Sequence, residues 1–493
     1  MVDRIYNKND NQSNKLVNLS HFIIKGFINN NSNNERDLSF QDLFKTENKD
    51  DRIVSILMST FVCDWNWLAK QLSIVIDDCY DHDHLPLCQV AINYDRSKGT
   101  NSGRSEQEIG NPFLDGSQTI SLKLSENKSL PIDIIHPPLL VSQIGILHSK
   151  IILLEYQQII RVVISSSNLT GSDWEVLGQT IFIVDIPRIK KNNIDNINDN
   201  KDQFKYELVD ILSSLGFTDD HIVNALDQFD FSMIHQHGIH IVSSIPGVYS
   251  HNKYGLSKLA SLASEYQSTS KATAVYQSSA IGMTSREWLS SFKAAIGTDN
   301  LTLPFPTLNT IDEMITYNPL GATESVTIRY HDKDLLLSNK MLSKLQYNNE
   351  RDPKVDNSIT NLSSHPPLHS KVLITDRWIY HGSHNFTEAS WGSISKRQST
   401  IKISNFETGV FIPTALFTGE SIQSMLRFKV ETPLYDFDDI PWQMNKHYNI
   451  LFNNIHQDNL DNNNNNNQDS NNSLNYHWNQ FKKEQQLLFK FNK

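Results

Sequence analysis

The sequence predicts an α/β protein made of two similar halves that share one active site. The same succession occurs twice along the 493 residues: strands, a hairpin that carries a His-x-Lys segment, an Asn, a helix and a further strand. The first His-x-Lys occupies residues 148–150 and leads to Asn168, and the second occupies 369–371 and leads to Asn385. In both copies a Trp follows the Asn by six positions. Such a duplication is typical of paired supersecondary units, and we expect a pseudo-two-fold axis between the halves.

Composition indicates a soluble globular protein and excludes several function classes. Hydrophobic residues make up 38% and aromatic residues 10% of a chain that is long enough for two cores. No apolar run reaches the roughly 18 residues that cross a bilayer, so we expect no membrane partner. The net charge of −11 argues against a surface that coats nucleic acid nonspecifically, but not against a local basic cleft. The three cysteines form no disulfide framework, which indicates a reduced intracellular compartment.

The chain divides where its composition changes. Asn- and Ser-rich sequence near both ends cannot build a core, and Pro246-Gly247 marks a turn between the halves. The predicted divisions are a disordered N-terminal tail (1–36), a first half (37–244) with an insertion (190–203), a second half (245–456), an Asn-rich segment (457–475) and a basic, aromatic C-terminal tail (476–493).

In the first half, apolar periodicity and turn residues predict the elements in order. Ser39 or Asp42 is expected to cap a helix through residues 43–44. Residues 53–72 mix apolar with polar side chains and are predicted to pass from helix into loop. The other predicted elements are strands at 73–76, 88–92, 180–186 and 239–244, a long loop at 96–127, a hairpin of core strands at 147–156 and 161–165, and helices at 204–215 and 221–229.

The second half shows a comparable succession. A strand at 272–277 ends in a turn of small residues, and residues 341–346 are predicted to form a helix. The other predicted elements are helices at 255–265 and 286–295, strands at 325–329 and 409–413, and the second His-x-Lys hairpin within 368–385.

A loop with acidic residues and histidines at 77–84 has two interpretations. Its Asp and His side chains are metal-ligand types, but such residues are also common in solvated loops before a strand. No second ligand cluster follows at zinc spacing, so the sequence favours the solvated loop and predicts no metal site.

Strand geometry brings the side chains of each His-x-Lys together. Side chains alternate along a strand, so His148 and Lys150 share one face, as do His369 and Lys371. The following residues are apolar on both faces, and a lysine at the end of a buried strand is costly unless it meets an anion. If the halves pair about a two-fold axis, one cleft holds two His, two Lys and two Asn.

This set of residues suits a phosphodiester and requires no metal or other cofactor. Two lysines neutralise the non-bridging oxygens, and two asparagine amides add donors to a five-coordinate transition state. One imidazole can attack phosphorus while the other protonates the leaving oxygen. A single His-x-Lys is more often a solvent-exposed edge pair, but two copies, each followed by a turn, Asn and Trp, indicate a catalytic site.

The two segments resemble the phospholipase D superfamily, whose motif is His-x-Lys-x4-Asp followed by Gly-Ser-x-Asn. The second copy keeps the whole pattern, with His369, Lys371, Asp376, Gly382, Ser383 and Asn385. In the first copy Glu155 stands in place of the Asp, and Ser165-Ser166 replaces Gly-Ser. The resemblance implies two α-β-α sandwich halves of phospholipase D type.

Over about residues 38–445, the chain is similar to the tyrosyl-DNA phosphodiesterase 1 family within that superfamily. The similarity is carried by 148–150, 162–164, 167–169, Asp173-Trp174, Gln179, 277–279, Gly282, Trp288, 407–410, Pro413 and Pro441-Trp442. It implies hydrolysis of the bond between a topoisomerase I tyrosine and a DNA 3′-phosphate, and of other 3′ adducts. The implied partners are single- or double-stranded DNA 3′ ends that carry a topoisomerase peptide. The resemblance further implies a monomer that acts in the nucleus, with the cytoplasm left open.

The resemblance also implies a role for each site residue. His148 would be the nucleophile, and His369 would act first as general acid and then as general base. The remaining roles are phosphate binding by Lys150, Lys371, Asn168 and Asn385, orientation of the two imidazoles by Gln179 and Glu407, and contact with the DNA backbone by Ser278 and Ser279.

Two departures from the family pattern concern DNA binding. Ile144 stands where family members can offer an aromatic ring to a base, and Glu388 stands where a basic residue would help to hold DNA. An alternative explanation for Glu388 is a carboxylate at a helix N-terminus, where it favours the helix dipole.

Two other function classes remain open from the sequence. One is another phosphodiesterase of the superfamily, a nuclease or a phospholipase, and the other is a nucleic-acid-binding module with an inactive site. Loss of the Asp and the Gly-Ser from the first copy disfavours a phospholipase. The intact His, Lys and Asn in both copies disfavour an inactive module.

Overall fold

The computed structural model describes residues 23–25, 38–46, 51–76, 85–95, 100–101, 117–137, 145–189, 202–217, 224–250, 252–266, 273–317, 328–331, 335–348, 366–395, 399–417 and 422–443. The predictions for the loop at 77–84, for Ile144 and for the segments after residue 456 lie outside these ranges. Among the described residues, no helix combines the length and the hydropathy that a membrane crossing requires.

The first half of the chain forms an eight-stranded sheet and a separate two-stranded pair. Its strands are β1 (Ile23–Lys25), β2 (Ile53–Thr60), β3 (Leu87–Ile92), β4 (Tyr94–Asp95), β5 (Thr100–Asn101), β6 (Ser117–Lys123), β7 (Ser129–Ile135), β8 (Ile151–Tyr156), β9 (Ile159–Ser165) and β10 (Gln179–Pro187). The sheet order is β1-β10-β9-β8-β2-β3-β7-β6, and β4 pairs with β5. Of the predicted N-terminal tail (1–36), the structure describes only β1, which pairs antiparallel with β10.

The second half forms a seven-stranded sheet with two smaller sheets. Its strands are β11 (His240–Ser244), β12 (Gly247–Ser250), β13 (Thr273–Ser278), β14 (Ala280–Ile281), β15 (Asn300–Phe305), β16 (Arg329–Tyr330), β17 (Leu342–Lys344), β18 (Lys371–Ile374), β19 (Trp378–Gly382), β20 (Ser393–Ser395), β21 (Thr400–Ile403) and β22 (Glu407–Pro413). The large sheet has the order β11-β22-β19-β18-β13-β15-β17. The small sheets are β12-β21-β20 and β14-β16.

Helices are distributed over both halves. The α-helices are α1 (Trp65–Ile76), α2 (Gly171–Glu175), α3 (Gln203–Ser214), α4 (Ser232–Gln236), α5 (Gly255–Glu265), α6 (Arg286–Ile296), α7 (Leu308–Tyr317), α8 (Leu335–Ser338), α9 (Glu388–Trp391) and α10 (Ile422–Met425). Short 3-10 helices cover Gln41–Phe44, Leu226–Gln228 and Thr414–Leu416.

The two large sheets share one strand order, which confirms the predicted α/β class with two similar halves. The run β10-β9-β8-β2-β3-β7 corresponds to β22-β19-β18-β13-β15-β17. In both runs the first three pairings are antiparallel and the last two are parallel. The His-x-Lys hairpins β8–β9 and β18–β19 occupy equivalent places. Strand β11 pairs with β22, so the second sheet begins before the predicted boundary at residue 245.

Several predictions of element type are wrong, and in β2 the burial of nearly every side chain hides the alternation that marks a strand. The stretch 53–72 is strand β2 followed by helix α1, and residues 73–76 are the last turn of α1 and not a strand. Asp64 starts this helix by accepting the amides of Asn66 and Trp67, each at 3.0 Å. Residues 341–346 contain β17, which pairs with β15 instead of forming a helix. Strands β6 and β15 were not predicted.

The tryptophans at matching offsets pack beneath the two motif turns. Trp174 is 1% exposed and donates its indole N–H to the Asn168 carbonyl at 2.8 Å. Trp391 is fully buried and donates to the Tyr276 hydroxyl at 3.0 Å. The repeated Trp therefore supports the turn that carries the site Asn, and does not belong to the site.

Close packing explains why only the second copy keeps the motif glycine. Gly382 faces Gly409 across β19 and β22, and the Tyr380 hydroxyl lies against both positions. A Cβ on Gly382 would overlap the Gly409 Cα and this hydroxyl. At the corresponding place in the first sheet, Ser165 faces Ile181, and the residue two positions earlier is not a tyrosine. The glycine is therefore required only in the half that holds the tyrosine.

Two further histidines are buried within the second half. The His384 ring contacts the Tyr380 hydroxyl through Nδ1 and the Ser244 Oγ through Nε2, at 3.0 Å for the latter. His381 Nε2 lies 3.0 Å from the Ile164 carbonyl and so links the second sheet to the first. Burial lowers the pKa of His384 to about 3 and that of His381 to about 4. Both rings are therefore neutral at pH 7.

We expect Gly382→Ala to lower the free energy of unfolding by about 1–3 kcal/mol, because its Cβ enters a filled space. The matched variant Ser165→Ala keeps its Cβ and loses only the hydroxyl that accepts the Ser167 amide at 2.9 Å, which costs about 1 kcal/mol. Urea denaturation measures both values. A Gly382→Ala protein as stable as the wild type would contradict the packing argument.

We also expect the free energy of unfolding to fall as the pH is lowered from 7 to 5. Unfolded imidazoles bind protons below about pH 6.5, whereas the buried rings of His384 and His381 do so only near their lowered pKa values. Stability from these rings is therefore complete above about pH 6.5 and is lost as the pH falls through the folded pKa.

Urea denaturation at several pH values tests this expectation. The variant His384→Gln should flatten the pH dependence by up to about 1.4 kcal/mol per pH unit, since it removes one such proton. Ser257→Ala, which removes a buried hydroxyl bonded to the Tyr254 carbonyl, should lower stability at every pH without changing the slope. An unaltered slope in His384→Gln would disprove the assignment.

Candidate active site

Each His-x-Lys segment is fixed by a backbone hydrogen bond to the other half. The His148 amide donates to the Phe406 carbonyl at 2.9 Å, and the His369 amide donates to the Gly178 carbonyl at 2.8 Å. Residues 148–150 lie just before β8, which begins at Ile151, and His369 lies just before β18, which begins at Lys371. The sequence prediction placed both histidines on strands, but their amides bond across the two halves instead.

His148 is held by a carboxylate from the second half. Its Nδ1 lies 2.7 Å from Glu407 Oε2. The same carboxylate accepts hydrogen bonds from Ser383 Oγ at 2.6 Å, Ser390 Oγ at 2.7 Å and Asn405 Nδ2 at 3.2 Å. Burial raises the pKa of Glu407, but the hydrogen bond and charge interaction with His148, together with His384 and Lys150, outweigh burial and hold it at about 2. A charged Glu407 keeps a proton on His148 Nδ1 and leaves the lone pair on Nε2.

His369 is held by two side chains from the first half. Its Nδ1 lies 3.1 Å from Gln179 Nε2 and 3.3 Å from both Gln179 Oε1 and Asp173 Oδ1. Gln179 Nε2 also donates to Asp173 Oδ1 at 2.8 Å, and Gln179 Oε1 accepts from Ser166 Oγ at 2.7 Å. The sequence predicted Gln179 at this place but assigned no role to Asp173. Asp173 lies five residues after Asn168, just as Ser390 lies five residues after Asn385. This shared spacing was the sequence feature that pointed to Asp173.

The two lysines are buried, and in the described part of the chain neither forms a direct ion pair with a carboxylate. Lys150 is 2% exposed and Lys371 is fully buried, and each ammonium donates to the carbonyl of the histidine two residues earlier. Burial lowers the pKa of Lys150 to about 8. Burial and the nearby Lys150 charge lower the pKa of Lys371 well below its usual range. Because two neighbouring ammonium groups are costly to keep charged in a buried site, they favour the binding of an anion.

Electrostatic coupling places the four groups in one site. Burial lowers the pKa of His148, and the charges of Lys150 and Lys371 lower it further, against the opposing effect of Glu407. For His369, burial, Lys371 and Lys150 outweigh Asp173 and lower the pKa to about 3. Both imidazoles are therefore neutral at pH 7 before substrate binds. Among the described residues, neither Nε2 atom has a hydrogen-bond partner.

The two asparagines are oriented differently. Asn385 Oδ1 accepts from Ser278 Oγ at 3.3 Å, Ser279 Oγ at 3.2 Å and the Ala280 amide at 3.2 Å, which leaves its Nδ2 for a substrate. The predicted DNA contacts Ser278 and Ser279 thus hold Asn385 in place. Asn168 instead donates its Nδ2 to Asp173, and its Oδ1 has no partner in the described part of the chain.

Some motif positions lie away from the site. Glu155 ends β8, where it accepts from Ser55 Oγ at 3.0 Å and pairs with Arg188 at 3.0 Å. Asp376 lies in the β18–β19 turn and is partly exposed beside Arg377. Seven residues of extended chain span about 20 Å, so the third motif position cannot reach a substrate at the histidine. The Asp-to-Glu departure in the first copy therefore leaves the site unaffected.

Two residues near the site concern DNA binding. The Phe61 ring centroid lies 5.9 Å from that of His148, so an aromatic surface borders this imidazole although Ile144 is not aromatic. Glu388 lies in the first turn of α9 and accepts from Ser285 Oγ at 3.2 Å, as expected for a carboxylate that stabilises a helix start. Within the described ranges, no group of three His, Cys, Asp or Glu side chains could hold a metal ion.

Known proteins share this fold. Tyrosyl-DNA phosphodiesterase 1 of Arabidopsis thaliana is 24% identical over 343 residues, which are 61% of this chain and 53% of that relative. The chain thus matches about half the length of this curated relative. Crystallised yeast tyrosyl-DNA phosphodiesterase is 16% identical with a TM-score of 0.59, and the match covers 85% of this chain and 99% of the yeast chain. A mutant form of the yeast enzyme gives a TM-score of 0.61 over 86% of this chain and 99% of the yeast chain.

At 16% identity, the likeness to the yeast structures shows a shared fold. The sequence profile described as tyrosyl-DNA phosphodiesterase goes further, because it matches residues 18–479 and so includes both His-x-Lys segments. The chain therefore belongs to the tyrosyl-DNA phosphodiesterase family.

Proposed function

We propose that this protein is a phosphodiesterase that removes a tyrosyl peptide, such as topoisomerase I leaves, and other adducts from DNA 3′-phosphates. One observation carries the proposal. Each imidazole is held at Nδ1 by the opposite half, which leaves Nε2 available beside two buried lysines that need an anion. A phosphodiester supplies that anion, and family membership supports DNA as its carrier.

In the first step, His148 Nε2 attacks phosphorus and the bond from phosphorus to the tyrosine oxygen breaks. His369 gives its Nε2 proton to the leaving phenolate, and a phosphohistidine forms at His148. The anionic substrate offsets the two lysine charges that keep His369 neutral in the free site, so substrate binding favours the protonated acid. Lys150, Lys371 and Asn385 Nδ2 hold the phosphoryl oxygens as charge develops.

In the second step, the now neutral His369 accepts a proton from water through Nε2. The water oxygen attacks phosphorus, the bond from phosphorus to His148 Nε2 breaks, and DNA leaves with a 3′-phosphate. His369 ends this step protonated, as it was before the first. Glu407 stabilises the positive charge that His148 carries while it is bonded to phosphorus.

Both halves of the proposed site come from one chain, so a single copy is sufficient for catalysis. The cross-half contacts of His148 and His369 need no partner subunit. We therefore propose a monomeric enzyme. Chromosomal DNA as substrate makes the nucleus its proposed location.

We expect purified protein to release tyrosine from a 3′-phosphotyrosyl oligonucleotide at an unchanged rate in excess EDTA, since the lysines supply the positive charge that a metal would provide. Product release is measured on denaturing gels. Phosphatidylcholine and a 3′-phosphoglycolate oligonucleotide are compared in parallel. Loss of all activity on chelation would overturn metal independence, and turnover of the lipid alone would favour a phospholipase.

We expect His148→Ala to be inactive, at least about 10³-fold below wild type, because the nucleophile is gone. We expect His369→Ala to accumulate a protein–DNA adduct, because a phenolate leaves with little protonation whereas water needs a base. Denaturing gels quenched at alkaline pH measure the adduct. His235→Ala, on exposed helix α4, is the matched control and should behave as wild type. An active His148→Ala protein would refute the assignment of the nucleophile.

A further inference from the structure

The two halves of the site carry their carboxylates at different positions. Asp173 lies five residues after Asn168, and Ser390 lies five residues after Asn385. Both follow a threonine whose hydroxyl accepts their amide, at 3.2 Å in the first half and 3.1 Å in the second. Gln179 and Glu407 also correspond, because each is the first residue of the equivalent strands β10 and β22. The pair is Asp and Gln in one half, and Ser and Glu in the other.

These pairs are hydrogen-bonded in the same way. Gln179 Nε2 donates to Asp173 Oδ1 at 2.8 Å, and Ser390 Oγ donates to Glu407 Oε1 at 2.7 Å. A serine two residues before each site asparagine completes the arrangement, because Ser166 Oγ donates to Gln179 Oε1 at 2.7 Å and Ser383 Oγ to Glu407 Oε2 at 2.6 Å. Each half therefore provides one carboxylate, but at different positions. In the first half it is Asp173, five residues after the site asparagine, and in the second half it is Glu407, the first residue of β22.

The orientation of the Gln179 amide limits what it can do for His369. Its oxygen accepts from Ser166, and its nitrogen donates to Asp173. This places Nε2 at 3.1 Å from His369 Nδ1, nearer than Oε1 at 3.3 Å. An amide nitrogen is a donor and cannot accept the Nδ1 proton. The acceptors within reach of that proton are Gln179 Oε1 and Asp173 Oδ1, both at 3.3 Å, and of the two only Asp173 carries a negative charge.

We propose that Asp173 is the positioning residue for His369, whose carboxylate partner it supplies as Glu407 does for His148. This inference rests on the proposed function and deepens it. Gln179 then acts through Asp173 by holding its Oδ1 with a hydrogen bond. Asp173 also accepts the Asn168 amide at 3.0 Å and the Thr170 hydroxyl at 2.9 Å, which fix the carboxylate itself.

The charge of Asp173 matters most when His369 acts as a base. The charged groups that act on this ring are Asp173, Lys371 and Lys150, and Asp173 is the anion among them. Burial raises the pKa of Asp173, but hydrogen bonding and charge interaction with His369, together with the Asn168 amide, hold it well below its usual range. The carboxylate is therefore ionised at neutral pH. It stabilises the imidazolium that forms when water gives up its proton.

Single-turnover kinetics on a 3′-phosphotyrosyl oligonucleotide test the proposal. Formation and breakdown of the His148–DNA adduct are followed separately, across pH, for wild type, Asp173→Asn, Asp173→Ser and the double variant Asp173→Ser/Gln179→Glu. The double variant copies the Ser and Glu of the second half into the first. Gln179→Ala removes the amide while leaving the Asp173 carboxylate.

We expect Asp173→Asn and Asp173→Ser to slow breakdown of the adduct about 10- to 100-fold, with a smaller effect on its formation. The acid limb of the breakdown rate should move to lower pH, because loss of the anion makes the His369 ring less basic. The double variant should recover at least about tenfold over Asp173→Ser. Gln179→Ala should slow breakdown less than Asp173→Asn does.

Breakdown by Asp173→Asn at the wild-type rate would overturn the proposal. A lowered rate with an unmoved acid limb and no recovery in the double variant would also overturn it, since those results describe a merely structural role. If Asp173→Asn fails to fold, the double variant and Gln179→Ala decide the matter, because both retain one carboxylate in the first half. Absence of any adduct in wild-type protein would refute the proposed function instead.

Discussion

The candidate site depends on one physical constraint, which is that the imidazoles of His148 and His369 are each held by hydrogen bonds from the opposite half of the chain. Backbone bonds from Phe406 to His148 and from Gly178 to His369 set the two segments in place. The residue after each of these carbonyls, Glu407 or Gln179, then reaches the Nδ1 of the same ring. Neither half could orient its own histidine, so the sheets must associate before the site exists.

The cost of this arrangement is the burial of two lysines next to one another. Burial is the main reason that the pKa values of Lys150 and Lys371 are lowered. Glu407 and Asp173 carry negative charge nearby, but each is hydrogen-bonded to other groups, and among the described residues neither forms an ion pair with a lysine. An anion that contacts the two ammonium groups directly therefore suits the site better than a neutral substrate.

The sequence predicted best those features that occur in both halves. The two hairpins and the two-half α/β class were predicted from the repeated segments, whereas Gln179 and Glu407 were assigned from the family resemblance and Asp173 was given no role. Prediction from the sequence failed where burial removed the alternation of apolar and polar side chains, as in β2 and β17. The Asp of the His-x-Lys-x4-Asp motif was misleading for another reason, because Asp376 lies at the end of its hairpin that is opposite the site.

The sequence by itself determined which residue types the site contains, because His, Lys and Asn recur at fixed offsets that strand alternation places on one face. Only the tertiary structure decided which partner orients which ring. Glu407 contacts His148, and Asp173 and Gln179 contact His369, so each contact joins residues from different halves. Periodicity within one segment of the sequence cannot predict such contacts. The sequence contains a carboxylate at position 407 in one half and at position 173 in the other, but only the contacts between the halves show which imidazole each one lies beside.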